Sequence, residues 1–243
     1  MASLEQVDIA AQKLREAGLD PEAYNLRAMP MSDCGQLISN LLAGRDPNYG
    51  IIQKEYSSKG EREFDLEISW IINPNVKDLL LAILKEVPDY FYDVEASSTG
   101  KYHPKFSLGR GGLIRHTRCV VHLVHELCGH PMCELDATTK DLLVAAAILH
   151  DSVKHGVPQE KYTRGDHPLL VRPLLSKLGE KFSTPEFDEL KAALLGLVES
   201  HMGPWNKGYR GSKDLMPLPT TEAQMLLHNA DYIASRKSWD LFY

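Results

Sequence analysis

Six side chains between residues 116 and 231 are of the types that bind transition metals: His116, His150, Asp151, His167, His201 and Asp231. Two of them, His150 and Asp151, are neighbours that close an apolar run, LLVAAAILHD, and the other four are far apart in the sequence. Histidines and aspartates that come from separate helices can build a metal site in the core of a helical bundle. Imidazole and carboxylate without thiolate suit Mn, Fe, Co, Ni or Zn. The pattern therefore predicts metal-dependent chemistry and leaves the substrate open.

Two of the aspartates are electrostatically unfavourable without a cation. Asp151 directly follows a strongly apolar run at a predicted helix end, where the helix dipole disfavours a negative charge. Asp231 lies in MLLHNADYIAS, whose apolar spacing indicates a buried face. A buried carboxylate is costly unless it is paired or bound to a metal. Four other histidines fit a simpler role as packed or capping residues: His122, His125, His130 and His228.

The predicted helices explain how such distant residues could meet. Apolar periodicity and capping residues predict five helices, at 113–128, 137–150, 167–178, 185–200 and about 221–237. The predicted N-caps of the second, third and fourth are Asp136, Asp166 and Thr184. Five helices with little strand signal indicate an all-α helical bundle.

The first part of the chain is less regular. Short helices are predicted at 4–17, 33–43 and 76–86. Between the last two, residues 64–72 alternate apolar and polar side chains, which favours a strand, with a helix of the same composition as the alternative. The N-terminal part is therefore expected to be mainly helical, with room for a short strand or hairpin.

A long basic loop at 88–112 leads into His116. Long loops in compact domains are commonly functional or disordered, and its position next to a candidate ligand favours function. We therefore predict a division into an N-terminal extension of unknown role, 1–95, and the domain that carries the metal-type residues, 96–243.

Composition bounds what the chain can bind. Its 243 residues are 43% hydrophobic and 25% charged, as in an ordinary globular protein. The formal charge of −6 argues against binding to duplex DNA or an anionic membrane over a broad surface, which needs clustered Lys and Arg.

Sequence features also bear on where the protein is located. The longest apolar run, 142–149, is too short to cross a bilayer, and the start MASLEQVDIA lacks the features of a signal peptide. Four cysteines without a CxxC pair fit buried thiols in a reducing compartment, so we expect a cytoplasmic protein of unknown oligomeric state.

The order of the metal-type residues and the sequences around them resemble the HD superfamily of metal-dependent phosphohydrolases. The motif H…HD…D is carried by His116, His150-Asp151 and Asp231, within GGLIRHT, AAILHDSVKHG and LLHNADYIASR. His167 in GDHPLL and His201 in ESHMGPW resemble the subset with a two-metal site, which includes cyclic-nucleotide phosphodiesterases and HD-domain 3′→5′ exoribonucleases. The resemblance spans about residues 97–238 and implies an all-α HD-domain bundle.

The resemblance also implies cofactors and a reaction. One divalent transition-metal ion would bind His116, His150, Asp151 and Asp231. A second would bind His167 and His201, with Asp151 shared between the two ions. Such a pair of ions activates a water molecule for attack on a phosphoester. The expected enzyme is a phosphohydrolase, in the first place a phosphodiesterase, that acts on a nucleotide or short nucleic acid with Asp151 and Lys154 as catalytic residues.

Four residues near these motifs are candidate substrate contacts: Lys101, His103, Lys154 and Trp205. Lys154 lies one turn beyond Asp151 and could hold a phosphate or be a solvated loop lysine. Lys101 and His103 lie on the loop that enters the first motif helix. Trp205 could stack on a base or pack in the core.

Two other functions fit the same motifs. A nucleotidase or dNTP triphosphohydrolase of the superfamily often needs only the four-residue core, so His167 and His201 argue against it. A regulatory module that binds a nucleotide without catalysis usually lacks a core ligand, whereas all six residues are present here. The phosphodiesterase interpretation is therefore favoured.

Overall fold

Helices are the main regular structure of this protein, and the described residues contain no β-strand. The computed structural model describes residues 2–24, 26, 29, 31–48, 56–100, 103–207 and 216–242. The chain separates into two compact units, Met1–Tyr56 and Ser57–Tyr243. Within the described ranges, none of the helices is both long enough and apolar enough to cross a membrane.

The described part of the first unit contains two α-helices, α1 (Leu4–Glu16) and α2 (Met31–Leu42). Ser3 caps α1, because its hydroxyl accepts a hydrogen bond from Gln6 N while the Gln6 side chain accepts one from Ser3 N. The helices enclose a small core of buried apolar side chains: Val7, Ala10, Leu14, Leu26, Cys34 and Leu37.

The second unit contains the remaining helices. They are α3 (Lys59–Glu63), α4 (Asp65–Ser69), α5 (Pro74–Leu84), α6 (Gly112–Gly129), α7 (Ala137–Leu149), α8 (Arg172–Leu175), α9 (Pro185–Ser200) and α10 (Glu222–Ala234). Helix α7 is central: residues 142–149 are all buried, and it packs against α5, α6, α9 and α10. An element that is apolar on every side must lie inside the bundle.

Side-chain caps define where the long helices begin. The Asp136 carboxylate accepts from Thr139 N at the start of α7, and the Thr184 hydroxyl accepts from Phe187 N at the start of α9. Thr221 caps α10 in the same way. The predicted helices that correspond to α6, α7, α9 and α10 are therefore confirmed, and the all-α fold with them.

Within the segment for which a strand was favoured, 64–72, residues Asp65–Ser69 form helix α4 and no residue lies in a strand. The strand prediction is therefore wrong, and the helical alternative is confirmed for those 5 residues. Phe64, Ile68 and Ile71 follow one another by four and three positions and are all buried. Leu66, between them, is 57% exposed. This spacing is one face of a helix, so packing against the core decides the conformation that the alternating pattern left ambiguous.

The third predicted helix of the bundle, 167–178, is shorter than expected. His167–Val171 form a 3-10 turn, and only Arg172–Leu175 are α-helical. Proline has no backbone N–H and is tolerated in the first turn of a helix but not in its interior. Pro173 therefore cannot continue a helix begun at His167, and it lies instead in the first turn of α8.

Residues 57–95 pack in the same unit as the bundle. Helix α5 contacts α7 and α9. The Asp141 carboxylate of α7 accepts hydrogen bonds from the backbone N of Ile72 and Asn73, at 3.0 and 2.6 Å. The boundary between the two compact units lies between Tyr56 and Ser57. The predicted division between residues 1–95 and 96–243 is a division by function, and it stays a prediction.

Candidate metal centre

The six metal-type side chains meet at one end of α7. They are His116 on α6, His150 and Asp151 just after α7, His167 at the start of a 3-10 turn, His201 just after α9, and Asp231 on α10. Because α7 packs against α6, α9 and α10, its C-terminal end is where the contributing elements converge. Five of the six residues are at most 2% exposed, and the Asp231 side chain is 22% exposed.

The two carboxylate oxygens of Asp151 face two different groups of histidines. Oδ2 lies 3.8 Å from Nε2 of His116 and 3.5 Å from Nε2 of His150. Oδ1 lies 2.9 Å from Nε2 of His167 and 4.0 Å from Nε2 of His201. A carboxylate placed in this way can bridge two cations, with one oxygen for each.

Asp231 completes the first group. Its Oδ1 atom lies 3.0 Å from Nε2 of His116 and 3.8 Å from Nε2 of His150. Burial alone would raise the pKa of Asp231, but the hydrogen bond with His116 and the charges of nearby histidines lower that pKa below its usual range. Asp231 is therefore an anion. Its Oδ1 atom and Oδ2 of Asp151 both lie near Nε2 of His116 and Nε2 of His150.

The backbone fixes the tautomer of three histidines. Nδ1 of His150, of His167 and of His201 lies 2.7 Å from the carbonyl oxygen three residues earlier. A carbonyl oxygen only accepts, so Nδ1 carries a proton, and when the ring is neutral Nε2 carries the lone pair. An Nε2 in this form can bind a metal ion.

Two of these Nε2 atoms, in His150 and His167, are buried without a hydrogen-bond partner among the described residues. Nε2 of His167 is close to Oδ1 of Asp151, but the contact lacks hydrogen-bond geometry. In the neutral ring with Nδ1 protonated, that contact brings two lone pairs together, which is unfavourable unless a cation lies beside them. Unpartnered buried polar atoms are rare in proteins, so the donor set fits a divalent metal ion.

Lys154 balances the charge of Asp151. Its Nζ atom lies 2.5 Å from Oδ2, and both side chains are buried. Burial alone would raise the pKa of Asp151, but the charges of Lys154 and His150 hold that pKa well below its usual range. Burial in the first place, and then the nearby His150 and His167 rings, lower the pKa of His201 to about 3. An anionic carboxylate and a neutral imidazole are the forms that bind metals.

A pocket of about 610 Å³ opens beside these residues. The predicted contacts His103, Lys154 and Trp205 all line it, whereas Lys101 lies outside the described residues. The His103 ring is edge-on to His116, with centroids 4.8 Å apart, and burial lowers the His103 pKa to about 3. Trp205 is 53% exposed, so the alternative that it packs in the core is wrong. The volume is in the range of small-molecule sites.

Tyr232 and Arg236 also line the pocket, although the sequence offers little sign of it. Tyr232 lies in the last turn of α10, and Arg236 follows it by four positions, just beyond the end of the helix. Side chains four positions apart are neighbours on a helix surface, so this spacing is the signal that could predict their contact. His228 was expected to be a packed or capping residue. Its Nδ1 atom caps a backbone group, because it donates to the carbonyl oxygen of His201 at 2.8 Å. It therefore supports a predicted ligand and is not one itself.

Comparison with known proteins identifies the chain at the level of a family. A profile of the HD domain matches residues 113–236, which include all six metal-type side chains. No curated protein and no solved structure matches the chain. HD domains are all-helical, as this bundle is, and the buried histidine and aspartate groups indicate divalent-metal binding. The chain belongs to the HD domain family.

Proposed function

We propose that this chain is a metal-dependent phosphohydrolase that hydrolyses a phosphoester, in the first place a phosphodiester, of a nucleotide or a short nucleic acid. The observation that carries the proposal is the position of Asp151, whose two oxygens face separate groups of buried histidines. Two divalent ions bound there would supply a hydroxide at neutral pH and neutralise charge on the phosphoryl oxygens.

The predicted ligands divide into two sets around Asp151. His116, His150 and Asp231 would hold one ion together with Oδ2. His167 and His201 would hold the second together with Oδ1. Mn, Fe, Co, Ni and Zn all suit imidazole and carboxylate donors.

Two further pocket residues would handle the phosphate. The Lys154 ammonium lines the pocket beside Asp151, where a positive charge stabilises the negative charge that develops during phosphoryl transfer. His103 is neutral, and its Nδ1 atom is buried without a hydrogen-bond partner in the described ranges, so it can hydrogen-bond to a substrate oxygen. We therefore propose Asp151 and Lys154 as catalytic residues and His103 as a substrate contact, with Lys101 as a further predicted contact.

The second histidine group favours this proposal over its rivals. A nucleotidase or dNTP triphosphohydrolase that uses one ion would leave His167 and His201 buried without a role. A regulatory module that only binds a nucleotide has no need for three imidazoles whose Nε2 atoms all lie within 4.0 Å of a shared carboxylate. Both rivals remain distinguishable by activity.

Elemental analysis of protein purified without chelator tests the metal assignment. We expect about two transition-metal ions per chain. Asp151→Ala should abolish both metal binding and hydrolysis while the helical circular-dichroism spectrum survives. Asp188→Ala, which removes an exposed carboxylate from α9, is the matched control and should keep both. Absence of metal after reconstitution with Mn or Fe would remove the mechanism.

A substrate screen tests the reaction. Bis-p-nitrophenyl phosphate, p-nitrophenyl phosphate, cyclic nucleotides, dNTPs and short RNA would be assayed with Mn, Co, Ni and Mg. Hydrolysis of diesters supports the proposal. Activity confined to p-nitrophenyl phosphate or dNTPs supports the nucleotidase or triphosphohydrolase instead, and binding without turnover supports the regulatory module.

A further inference from the structure

One wall of the pocket consists of three planar groups in contact, Trp205, Tyr232 and Arg236, here called the aromatic shelf. The rings of Trp205 and Tyr232 are nearly parallel, with an interplanar angle of 10° and centroids 5.7 Å apart. The guanidinium carbon of Arg236 lies 4.2 Å from the centroid of the Tyr232 ring. The pocket thus presents stacked planar groups beside the candidate metal centre.

The aromatic shelf is exposed and held in place. Trp205 is about half exposed and Tyr232 is 40% exposed. Nε of Arg236 donates to the Tyr232 carbonyl oxygen and Nη2 donates to the Ser235 hydroxyl, which keeps the guanidinium over the ring. Tyr232 directly follows Asp231. Apolar surface that stays open inside a pocket is typical of a ligand-binding wall and contributes little to the core.

A short packed segment connects Trp205 to a predicted ligand. Trp205 ends the 3-10 turn Gly203–Trp205, which begins two residues after His201. His228 donates to the carbonyl oxygen of His201, and its ring packs so closely against Gly203 that a Cβ there would lie 2.4 Å from the ring. The position of the indole relative to the metal centre is therefore set by local packing.

We propose that the aromatic shelf binds the nucleobase of the substrate, with Trp205 and Tyr232 as specificity-determining residues. The inference rests on the proposed phosphohydrolase function. Every nucleobase has a π face that can stack on an aromatic side chain, and a guanidinium adds a cation–π contact. The pocket volume suits a single nucleoside unit. The preferred substrate is therefore a phosphoester whose reacting phosphate is one sugar away from a base.

Binding to the full-length chain tests the aromatic shelf without requiring turnover. In the presence of a chelator, adenosine 5′-monophosphate should bind more tightly than ribose 5-phosphate, because the two differ by the base alone. Trp205→Leu should weaken binding of the nucleotide about tenfold and leave ribose 5-phosphate unaffected. Trp205→Phe should restore most of the affinity, because a phenyl ring also stacks. Isothermal titration calorimetry measures each constant.

Met225→Ala is the matched control, because Met225 is an exposed apolar residue of α10 that does not line the pocket. It should leave both affinities unchanged. Equal binding of the two phosphates to the wild-type chain would overturn the inference. So would full affinity for adenosine 5′-monophosphate in Trp205→Leu.

Hydrolysis assays separate this inference from the proposed function. If nucleotide binding depends on Trp205 but no phosphoester is hydrolysed with any metal, the proposed function fails and the base-binding assignment stands. If hydrolysis occurs and Trp205→Leu raises KM equally for nucleotide and non-nucleotide phosphoesters, the proposed function stands and the base-binding assignment fails.

Discussion

The Nζ atom of Lys154 lies 2.5 Å from Oδ2 of Asp151, the same oxygen that faces His116 and His150. A buried carboxylate needs a positive partner, and Lys154 is that partner here. A metal ion bound by the two histidines would take the same oxygen. Lys154 and a metal ion therefore compete for Asp151, and metal binding would release the ammonium toward the pocket.

Removal of the Lys154 charge should destabilise the metal-free protein. Lys154→Met leaves Asp151 buried and unpaired, which should lower the free energy of unfolding by about 3 kcal/mol in EDTA. Mn²⁺ should restore most of the loss, because the metal ion replaces the missing charge, and metal content should stay intact. Urea denaturation with and without Mn²⁺ measures both states.

Lys177→Met is the control for this prediction, since Lys177 makes an exposed ion pair with Glu86 and its loss should change little. An equal loss of stability in Lys154→Met with and without Mn²⁺ would show that the two cations do not share Asp151.

Gly203→Ala should affect stability and metal affinity together. Gly203 has a φ of +54°, which is costly for alanine, and the added Cβ would meet the His228 ring. We expect a loss of about 2 kcal/mol. Because His228 donates to the carbonyl of His201, its displacement should also weaken metal binding. Denaturation and metal titration measure the two effects.

Gly109→Ala separates backbone strain from displacement. Gly109 also has a positive φ, +69°, but a Cβ there would meet nothing within 4 Å. It should lose stability and keep its metal affinity. Wild-type metal affinity in Gly203→Ala would contradict the role given to His228.

Asp141 should link residues 57–95 to the stability of the bundle. Asp141→Ala removes the acceptor of two backbone N–H groups, at Ile72 and Asn73, and should cost about 2 kcal/mol. Asp141→Asn keeps an acceptor oxygen and should lose less. Asp78→Ala, which breaks an exposed ion pair with Lys181, is the surface control. Wild-type stability in Asp141→Ala, measured by urea denaturation, would argue that the contact contributes nothing.

Glu67 should make the protein sensitive to acid. Burial opposes its ionisation, but the hydrogen bond with His122 and the charge of Arg118 prevail and lower the pKa of Glu67 below its ordinary value of 4.5. A carboxyl whose pKa is lower in the folded state contributes stability above the unfolded pKa, and that stability is lost as the pH falls through the folded pKa.

Glu67→Gln should therefore flatten the decline of stability between about pH 5 and pH 3. Denaturation at a series of pH values measures the slope. Glu126→Gln, on the exposed face of α6, controls for the change in net charge. An unchanged slope in Glu67→Gln would assign the acid sensitivity to other groups.

The metal-type residues could be identified from the sequence because their chemistry conflicts with their surroundings. Asp151 after an apolar run and Asp231 within one are unfavourable unless a cation is present, whatever the tertiary structure. The ion pair of Lys154 with Asp151 and the stack of Trp205 on Tyr232 carry no such conflict. Lys154, Trp205 and Tyr232 are residue types that commonly occur at a helix end or in a loop. Only the three-dimensional structure therefore reveals the ion pair and the stacked rings.

The helices could be predicted where local signals agree with packing. Asp136 and Thr184 cap helices whose apolar faces are continuous, and both helices begin there. Residues 64–72 satisfy the period of a strand and that of a helix, and the choice depends on distant partners such as Arg118, which donates to Glu67. Pro173 is a local signal that the prediction of a helix over 167–178 did not take into account, and it explains why α8 is short.

The hydrogen bonds of His150, His167 and His201 have a consequence for how this centre tolerates sequence change. Their acceptors are the main-chain carbonyls of Ala147, Arg164 and Val198. A substitution alters a side chain but retains the carbonyl, so these three positions can vary without removing the group that orients each imidazole. The orientation of half of the candidate ligands is thus inherited from the path of the backbone, which leaves the surrounding side chains freer to diverge toward different substrates.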